Sequence, residues 1–218
     1  MAEAKLVISS KNYSSWGLRG WLLCKFAGLD FEEEVIPPND PVMRAEILLL
    51  SPSFLVPRLI HHDLTIWDTL AIGEYLNEIR PEAGLLPKER AERALCRAIS
   101  GEMHQGFSSL RSALPMNISS HHPNYKIYSG ARADIERICT IWRDTLALSG
   151  GPFLFGKRPT MADAMYAPVA TRFVTYDVKL DPHSATYRDT VLALPAMREW
   201  IAAAKAEPQE IEEFEVEF

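Results

Sequence analysis

Cysteine is scarce in this chain of 218 residues, which contains only Cys24, Cys96 and Cys139. These residues lie far apart and form no C-x-x-C pair, so the sequence predicts neither a disulfide framework nor a zinc or dithiol redox motif. The first ten residues turn polar after a short apolar run, and no apolar stretch of about 18 residues occurs, which argues against a signal peptide or a membrane span. We therefore expect a cytoplasmic protein with reduced thiols and no membrane partner.

The chain also has fewer positively than negatively charged residues. The chain has 23 Lys and Arg against 29 Asp and Glu, a formal net charge of −6, and no basic run. Because binding to phosphates requires clustered positive charge, the sequence argues against nucleic acid or an anionic membrane as a partner. A hydrophobic content of 47% with 24% charged residues is typical of a folded globular protein, and excludes a disordered chain, a collagen-like repeat or a coiled-coil rod.

The first 80 residues alternate between strand-like and helix-like patterns. The apolar run at 6–8 predicts a buried strand, and the apolar spacing over 15–27, followed by Gly28, predicts a helix with a glycine stop. The remaining predicted elements of this region are a strand at 31–36, a short helix at 43–50, a hairpin of strands at 57–61 and 64–67, and a helix over 68–80.

Helical patterns dominate the chain after a loop-like segment at 81–87. The predicted helices cover 88–114, 129–148, 160–175 and 195–206, and the proline-containing segment 115–128 reads as a long connection. The sequence therefore predicts an α/β domain at 1–80, a linker at 81–87 and an all-helical domain at 88–218.

Two predicted helices begin at residues that could bind an anion. Ser14 and Ser15 precede the first helix, and Asp68 and Thr69 precede the helix that follows the hairpin. A helix N-terminus offers unpaired N–H groups and a positive dipole, and ligands of open α/β sheets bind near such ends. The alternative is that these residues only cap their helices, which is the usual role of Ser, Asp and Thr at such positions.

Two further motifs can each be explained by local structure alone. Pro57 begins an otherwise good strand, where a cis Val56–Pro57 bond would turn the main chain of Val56 toward a peptide-like ligand, although most X–Pro bonds are trans. Thr160 and Asp163 form an [ST]-x-x-[DE] capping box that opens an apolar helix. We assign the capping box no chemistry.

Taken in order, these motifs resemble the cytosolic glutathione transferases over nearly the whole chain. The similarity rests on VPRL at 56–59, WDTLAIGEYL at 67–76, the late capping box and the serine pair before the first helix. The serine pair resembles the serine-type members of the family (zeta-, theta- or delta-like), and the lack of a cysteine in that loop argues against thiol chemistry of the omega or glutaredoxin type. The resemblance implies a thioredoxin-like N-terminal domain of order βαβαββα followed by a helical C-terminal domain.

The resemblance also implies roles for individual residues. Ser14 matches the serine that activates the glutathione thiol, with its neighbour Ser15 as the second choice. Val56, Pro57, Asp68 and Thr69 match the glutathione-binding residues: the main chain of Val56 pairs with the cysteinyl part, Pro57 is the cis-proline, and Asp68 and Thr69 hold the γ-glutamyl amine and carboxylate.

The electrophile is expected to be small and largely apolar, and to lie against the helical domain. Met103, Phe107, Leu110 and Leu114 fall on one helical stripe, flanked by His104 and Arg111. Such a stripe is either the wall of the electrophile site or ordinary core packing. Lys11, Arg19 and Arg58 lie near the predicted site in sequence and could offset the negative charge of the chain.

The implied activity is conjugation of the glutathione thiolate to an electrophile by a homodimeric enzyme, with glutathione as co-substrate. A glutathione-dependent isomerase or peroxidase and a non-catalytic glutathione-binding regulator are the alternatives. Trp16 stands where zeta enzymes carry a cysteine, which disfavours maleylacetoacetate isomerisation, and Asp68 and Thr69 differ by one methyl or methylene group from the residues usual there. The histidine pairs at 61–62 and 121–122 lack the spacing of a metal site, so we expect them at the surface and expect no metal.

Overall fold

The structure, a computed structural model, describes residues 2–36 and 56–207. Within these residues, the N-terminal part of the chain forms a small sheet and two helices. Its elements are β1 (Ala4–Ile8), α1 (Ser15–Ala27), β2 (Phe31–Val35), β3 (Arg58–His61), β4 (Leu64–Trp67) and α2 (Thr69–Ile79). These bounds agree closely with the predicted ones, whereas the short helix predicted at 43–50 lies outside the described residues.

The four strands form one sheet in the order β2-β1-β3-β4. β1 is parallel to β2 and antiparallel to β3, and β3 and β4 form the predicted antiparallel hairpin. Leu6 and Ile8 of β1 and Leu59 of β3 are completely buried, because β1 and β3 occupy the middle of the sheet. This parallel unit followed by a hairpin is the thioredoxin-like arrangement, so the predicted fold class is confirmed.

The helical part contains six helices within the described residues, preceded by a 3-10 turn at Pro81–Ala83. The helices are α3 (Arg90–Gln105), α4 (Ser108–Ala113), α5 (Ser129–Ser149), α6 (Met161–Thr175), α7 (Pro182–Leu192) and α8 (Pro195–Lys205). None of the helices in the described ranges is long and apolar enough to cross a membrane.

Helix α6 forms the centre of the helical part and packs against α1, α3 and α7. The rings of Tyr166 and Phe173 on α6 surround Trp142 of α5 together with Tyr187 of α7, at centroid distances of 4.8 to 6.2 Å. A helix that is buried nearly all round needs its first turn satisfied internally. The predicted capping box of Thr160 and Asp163 does this and is confirmed.

The prediction of one helix over 88–114 is wrong. Helix α3 ends at Gln105, and Phe107, with φ of 60°, starts the separate helix α4. Gly106 permits the break because its extended backbone brings it close to the carbonyl oxygen of Glu102, 2.7 Å from where a Cβ would stand. The Arg111 guanidinium then turns back and donates to carbonyl oxygens at the end of α3, where the helix dipole favours a cation.

Helix α7 was not predicted, although its start has a clear signal. The carboxylate of Asp181 accepts hydrogen bonds from the backbone N–H groups of His183 and Ser184, at 3.0 and 3.1 Å, and Pro182 occupies the first helical position. An N-capping aspartate followed by proline is a standard helix start. The weak apolar periodicity of the following residues hid the helix.

The histidine pair of the hairpin also differs from expectation. His61 is buried, and its Nδ1 lies 2.6 Å from the hydroxyl of Tyr75 on α2, while His62 is exposed in the two-residue turn. Because β3 is an inner strand, its last side chain points into the packing with α2. The prediction of a surface pair therefore holds for His62 only.

Candidate functional site

The two candidate serines lie at the N-terminus of α1. Ser14 is the N-cap, its Oγ accepts a hydrogen bond from Gly17 N at 3.0 Å, and it is 2% exposed. Ser15 is the first helical residue and is also buried. The capping role foreseen for one of them thus belongs to Ser14. Its hydroxyl oxygen stands at the positive end of the helix, where an anion is favoured.

The loop that presents these serines is held by the end of the helical part. The Glu207 carboxylate accepts hydrogen bonds from Ser10 Oγ at 2.6 Å, Lys11 N at 2.6 Å and Asn12 N at 3.1 Å. Trp200 Nε1 donates to the Lys11 carbonyl at 2.9 Å. Sequence reasoning missed Glu207 and Trp200, because nothing local in the sequence links them to a loop almost 200 residues away.

The Val56–Pro57 bond is cis, and Val56 is buried. The Pro57 ring packs against α1 at Gly20, where an added Cβ would lie 2.6 Å from the Pro57 Cβ. A contact of that length is sterically impossible, so only glycine lets the segment approach α1 this closely. The predicted cysteinyl-binding segment and the predicted serine helix are therefore in direct contact.

Asp68 caps α2 and is held in an unusual conformation. Its φ is 73°, and its Oδ1 accepts a hydrogen bond from Leu70 N at 2.8 Å. Positive φ in a residue other than glycine costs free energy and persists where the surroundings enforce it, often at functional sites. Burial would raise the pKa of this carboxyl, but hydrogen bonds from His104 and the Leu70 amide hold the pKa below its usual value. Asp68 is therefore an anion at neutral pH.

Thr69 is the first residue of α2 and is 1% exposed. Its Oγ1 is buried and has no hydrogen-bond partner among the described residues. A buried hydroxyl without a partner is uncommon and needs an explanation. A ligand group at the N-terminus of α2 would provide one.

The residues predicted to form the electrophile wall lie in two different environments. Met103 and Leu110 are fully enclosed in the core, and Phe107 is nearly so. By contrast, His104 reaches Trp16 of α1, with ring centroids 5.1 Å apart, and the Arg111 guanidinium lies 4.7 Å from the centre of the same ring. His104 and Arg111 of the predicted wall therefore meet the first turn of α1.

Trp16 lies beside an unusual concentration of buried positive charge. Arg19 and Arg111 both lie over its ring, and Arg172 is buried nearby, with 1%, 8% and 5% of the three residues exposed. Burial lowers the pKa of all three guanidinium groups, to about 10 for Arg111 and about 9 for Arg172. An arginine guanidinium stays protonated in proteins at neutral pH. Within 2–36 and 56–207 the three groups donate to backbone carbonyls and pair with no carboxylate. The first turn of α1 therefore lies in a positive field.

The other predicted cations are placed differently. Lys11 forms an ion pair with Glu33 and lies over the rings of Trp21 and Trp200, away from this cluster. Arg58 follows Pro57 directly, and its buried Nε has no hydrogen-bond partner among the described residues. Of the three cations near the predicted site in sequence, Arg19 joins the group around Trp16.

Comparison with known proteins gives matches in both parts of the chain. Family models described as the N-terminal and the C-terminal domain of glutathione S-transferase match residues 13–79 and 125–203. A maleylacetoacetate isomerase of Mus musculus is 30% identical over 193 residues, 84% of this chain and 85% of that protein. Glutathione S-transferase 1 of Dianthus caryophyllus is 28% identical over 173 residues, 78% of each chain.

A solved structure is similar over almost its whole length. It is a glutathione transferase homolog from a Burkholderia strain, determined with bound glutathione; it has a TM-score of 0.70 and 22% identity, and the match covers 94% of this chain and 99% of that one. At this identity the likeness establishes the shared fold. Together with the two domain models and a relative of 30% identity, it gives the assignment: the chain belongs to the glutathione S-transferase family.

Proposed function

We propose that this chain is a glutathione-dependent enzyme that stabilises the glutathione thiolate beside Ser14 and adds it to a small, largely apolar electrophile. The observation that carries the proposal is the arrangement of three chain segments near α1. Ser14 caps α1, the cis Val56–Pro57 segment packs on Gly20 of α1, and Asp68 caps α2. In this proposal Ser14 binds the sulfur of glutathione, the Val56–Pro57 segment binds the cysteinyl main chain, and Asp68 binds the γ-glutamyl amine.

Thr69 and the wall residues complete the proposed site. The buried Thr69 hydroxyl without a described partner would bind the γ-glutamyl carboxylate at the N-terminus of α2. His104 and Arg111, beside Trp16, would face the electrophile. Met103, Phe107 and Leu110 would support that wall from the core.

The positive field around the first turn of α1 supports thiolate chemistry in a chain of negative net charge. The thiolate is the nucleophile, and a helix N-terminus with nearby cations favours the thiolate over the thiol. The cations Arg19 and Arg111 and the α1 dipole supply that environment. No metal is required for this step.

Isomerisation is the second candidate reaction, favoured by the names of several relatives. Proteins of Mus musculus, Rattus norvegicus and Caenorhabditis elegans that match 84 to 90% of this chain are named maleylacetoacetate isomerase or probable maleylacetoacetate isomerase. In an isomerisation, the thiolate adds to a conjugated double bond, the new single bond rotates, and the thiolate leaves again. Both candidates share the thiolate and the addition step.

Two assays on the same preparation test the proposal. Calorimetric titration with glutathione should give saturable binding. Chlorodinitrobenzene should then yield a glutathione conjugate with loss of free thiol, whereas isomerisation of maleylacetoacetate would proceed with glutathione unconsumed. A peroxidase would instead oxidise glutathione with an organic hydroperoxide. A folded chain that does not bind glutathione would contradict the proposal, and binding without any turnover would favour a regulatory binding protein.

Assembly, location and domain limits belong to the same proposal. The family resemblance implies a homodimer in the cytoplasm, with the glutathione-binding domain at 1–80, a linker at 81–87 and the helical domain at 88–218. Light scattering coupled to gel filtration should give about twice the chain mass of 24.6 kDa. A monomer that binds glutathione would remove the pairing from the proposal without affecting the site.

Replacing Asp68 with asparagine should weaken glutathione binding by about 10-fold or more, because a hydrogen bond to a charged group contributes about 1.5–3 kcal/mol. Asparagine caps helices as well as aspartate does, so α2 should persist. Asp63→Asn, at the exposed hairpin turn, is the matched loss of one negative charge. Equal dissociation constants for Asp68→Asn and Asp63→Asn, measured by calorimetry, would exclude Asp68 as the amine-binding group.

A further inference from the structure

His104 connects the helical part of the chain to the proposed γ-glutamyl site. It lies in the last turn of α3, and its Nε2 is 2.6 Å from Oδ2 of Asp68, the N-cap of α2. Its ring also contacts Trp16 of α1, with centroids 5.1 Å apart. Three helices therefore meet at one imidazole, which remains partly exposed, with 31% of the side chain accessible.

The contact fixes the Asp68 carboxylate at both ends. Oδ1 accepts a hydrogen bond from Leu70 N at 2.8 Å, and Oδ2 faces His104, so the plane of the carboxylate cannot turn freely. A carboxylate offers about four acceptor sites on its two oxygens, so two bonds leave acceptor capacity for a ligand. Because Asp68 only accepts, the Nε2 of His104 must carry the proton in this bond.

We infer that His104 is a positioning residue for glutathione: it orients Asp68 so that the free acceptor sites of the carboxylate meet the α-ammonium group of the γ-glutamyl part. The inference rests on the proposed function, because it requires that Asp68 bind that amine. Its ligand class is an α-amino acid group with a free ammonium. The helical part thereby contributes to recognition of glutathione as well as to the electrophile wall.

Orientation of this kind matters because a charge-assisted hydrogen bond depends on geometry as well as on charge. With His104 absent, Asp68 would keep its charge and its cap, yet the outer oxygen would be free to rotate toward solvent. A purely structural role, in which His104 only joins α3 to α2, would instead affect every ligand of the site equally. The dependence of binding on the ligand's amine therefore separates the two roles.

A matched pair of variants tests the inference. His104→Phe keeps a ring against Trp16 but has no donor, whereas His104→Gln loses the ring but can place an amide N–H where Nε2 stands. The exposed His121, in the segment between α4 and α5, provides a control as His121→Phe. Each protein is titrated by calorimetry with glutathione and with a glutathione analogue whose α-amino group is replaced by hydrogen.

The expected result is specific to the amine. His104→Phe should weaken glutathione binding by about 10-fold and binding of the analogue by less than about 2-fold, as expected for loss of one orienting bond to a charged group. His104→Gln should stay within about 3-fold of the unchanged protein for both ligands, since it restores the donor. His121→Phe should bind as the unchanged protein does.

Each of the following outcomes would overturn the inference in a distinguishable way. Equal weakening of both ligands in His104→Phe would make His104 a structural contact only, and no weakening in that variant would remove it from recognition. If the unchanged protein binds glutathione and the analogue equally, Asp68 does not bind the amine. If it binds neither ligand while folded, the proposed function itself fails. If His104→Phe does not fold, His104→Gln is compared with His121→Phe instead. Weaker binding of glutathione, but not of the analogue, by His104→Gln would contradict the donor role.

Discussion

Replacing Ser14 with glycine should lower kcat/KM for glutathione-dependent turnover by about 10- to 100-fold at neutral pH, because a hydrogen bond from a hydroxyl to an anion contributes about 1.5–3 kcal/mol. A thiol with a pKa near 8.5 is only roughly 3% ionised at pH 7, and lowering that pKa to about 6.5 requires about 2.7 kcal/mol. One hydroxyl at the N-terminus of α1 can supply most of that amount, and the helix dipole adds about 0.3–1 kcal/mol.

Glycine is the informative replacement because Ser14 is also the N-cap of α1, with its Oγ 3.0 Å from Gly17 N. Loss of a capping serine to alanine costs about 1 kcal/mol of stability, whereas glycine at an N-cap costs only a few tenths. Ser14→Thr keeps the hydroxyl and should retain activity, and Ser15→Ala tests the neighbouring hydroxyl. The pKa of bound glutathione, followed by ultraviolet absorbance of its thiolate, should rise in Ser14→Gly alone.

The opposite pattern would reassign the thiolate. If Ser15→Ala loses activity and raises the thiol pKa while Ser14→Gly does neither, the hydroxyl of Ser15 is the activating group and Ser14 is only a cap. If neither replacement changes the thiol pKa, the α1 dipole and the buried arginines beside Trp16 alone stabilise the thiolate.

Replacing Asp163 with alanine should lower the free energy of unfolding by about 3–5 kcal/mol, the range for breaking a buried hydrogen-bond network. Asp163 is 1% exposed, and its carboxylate accepts from Thr160 N at 2.7 Å, Leu154 N at 3.1 Å and Tyr187 OH at 2.8 Å. Alanine removes the cap of the central helix α6 and leaves these donors buried without an acceptor. Each such donor costs about 1–3 kcal/mol.

Equilibrium unfolding in urea measures this loss. Asp189→Ala, at an exposed position of α7, removes the same charge and should change stability by less than about 0.5 kcal/mol. Asp163→Asn keeps an acceptor oxygen and should lie between the two. An Asp163→Ala protein that unfolds within about 1 kcal/mol of the unchanged chain would contradict a structural role for the capping box.

Local signals predicted most of the fold. The bounds of α1, the hairpin and α6 follow from features that act over a few residues: an N-cap serine, the αL glycine at Gly28, a two-residue turn and a capping box. The break between α3 and α4 was missed because the apolar spacing continues through Gly106. That spacing carries no information about the Arg111 side chain, which caps the end of α3. Asp181 and Pro182 mark the start of α7 in the sequence, but the apolar periodicity of the residues that follow is too weak to predict the helix.

The features of the candidate site likewise separate into those set by neighbouring residues and those set by tertiary packing. The sequence by itself determined that a serine caps α1 and that Asp68 begins α2, because caps depend on immediate neighbours. The cis Val56–Pro57 bond followed from the family resemblance alone, since most X–Pro bonds are trans. Only the tertiary structure decided that His104 meets Asp68 from 36 positions away and that Glu207 holds the loop at Ser10 from 197 positions away. Such contacts depend on how helices pack against one another, and no local pattern of residues encodes that packing.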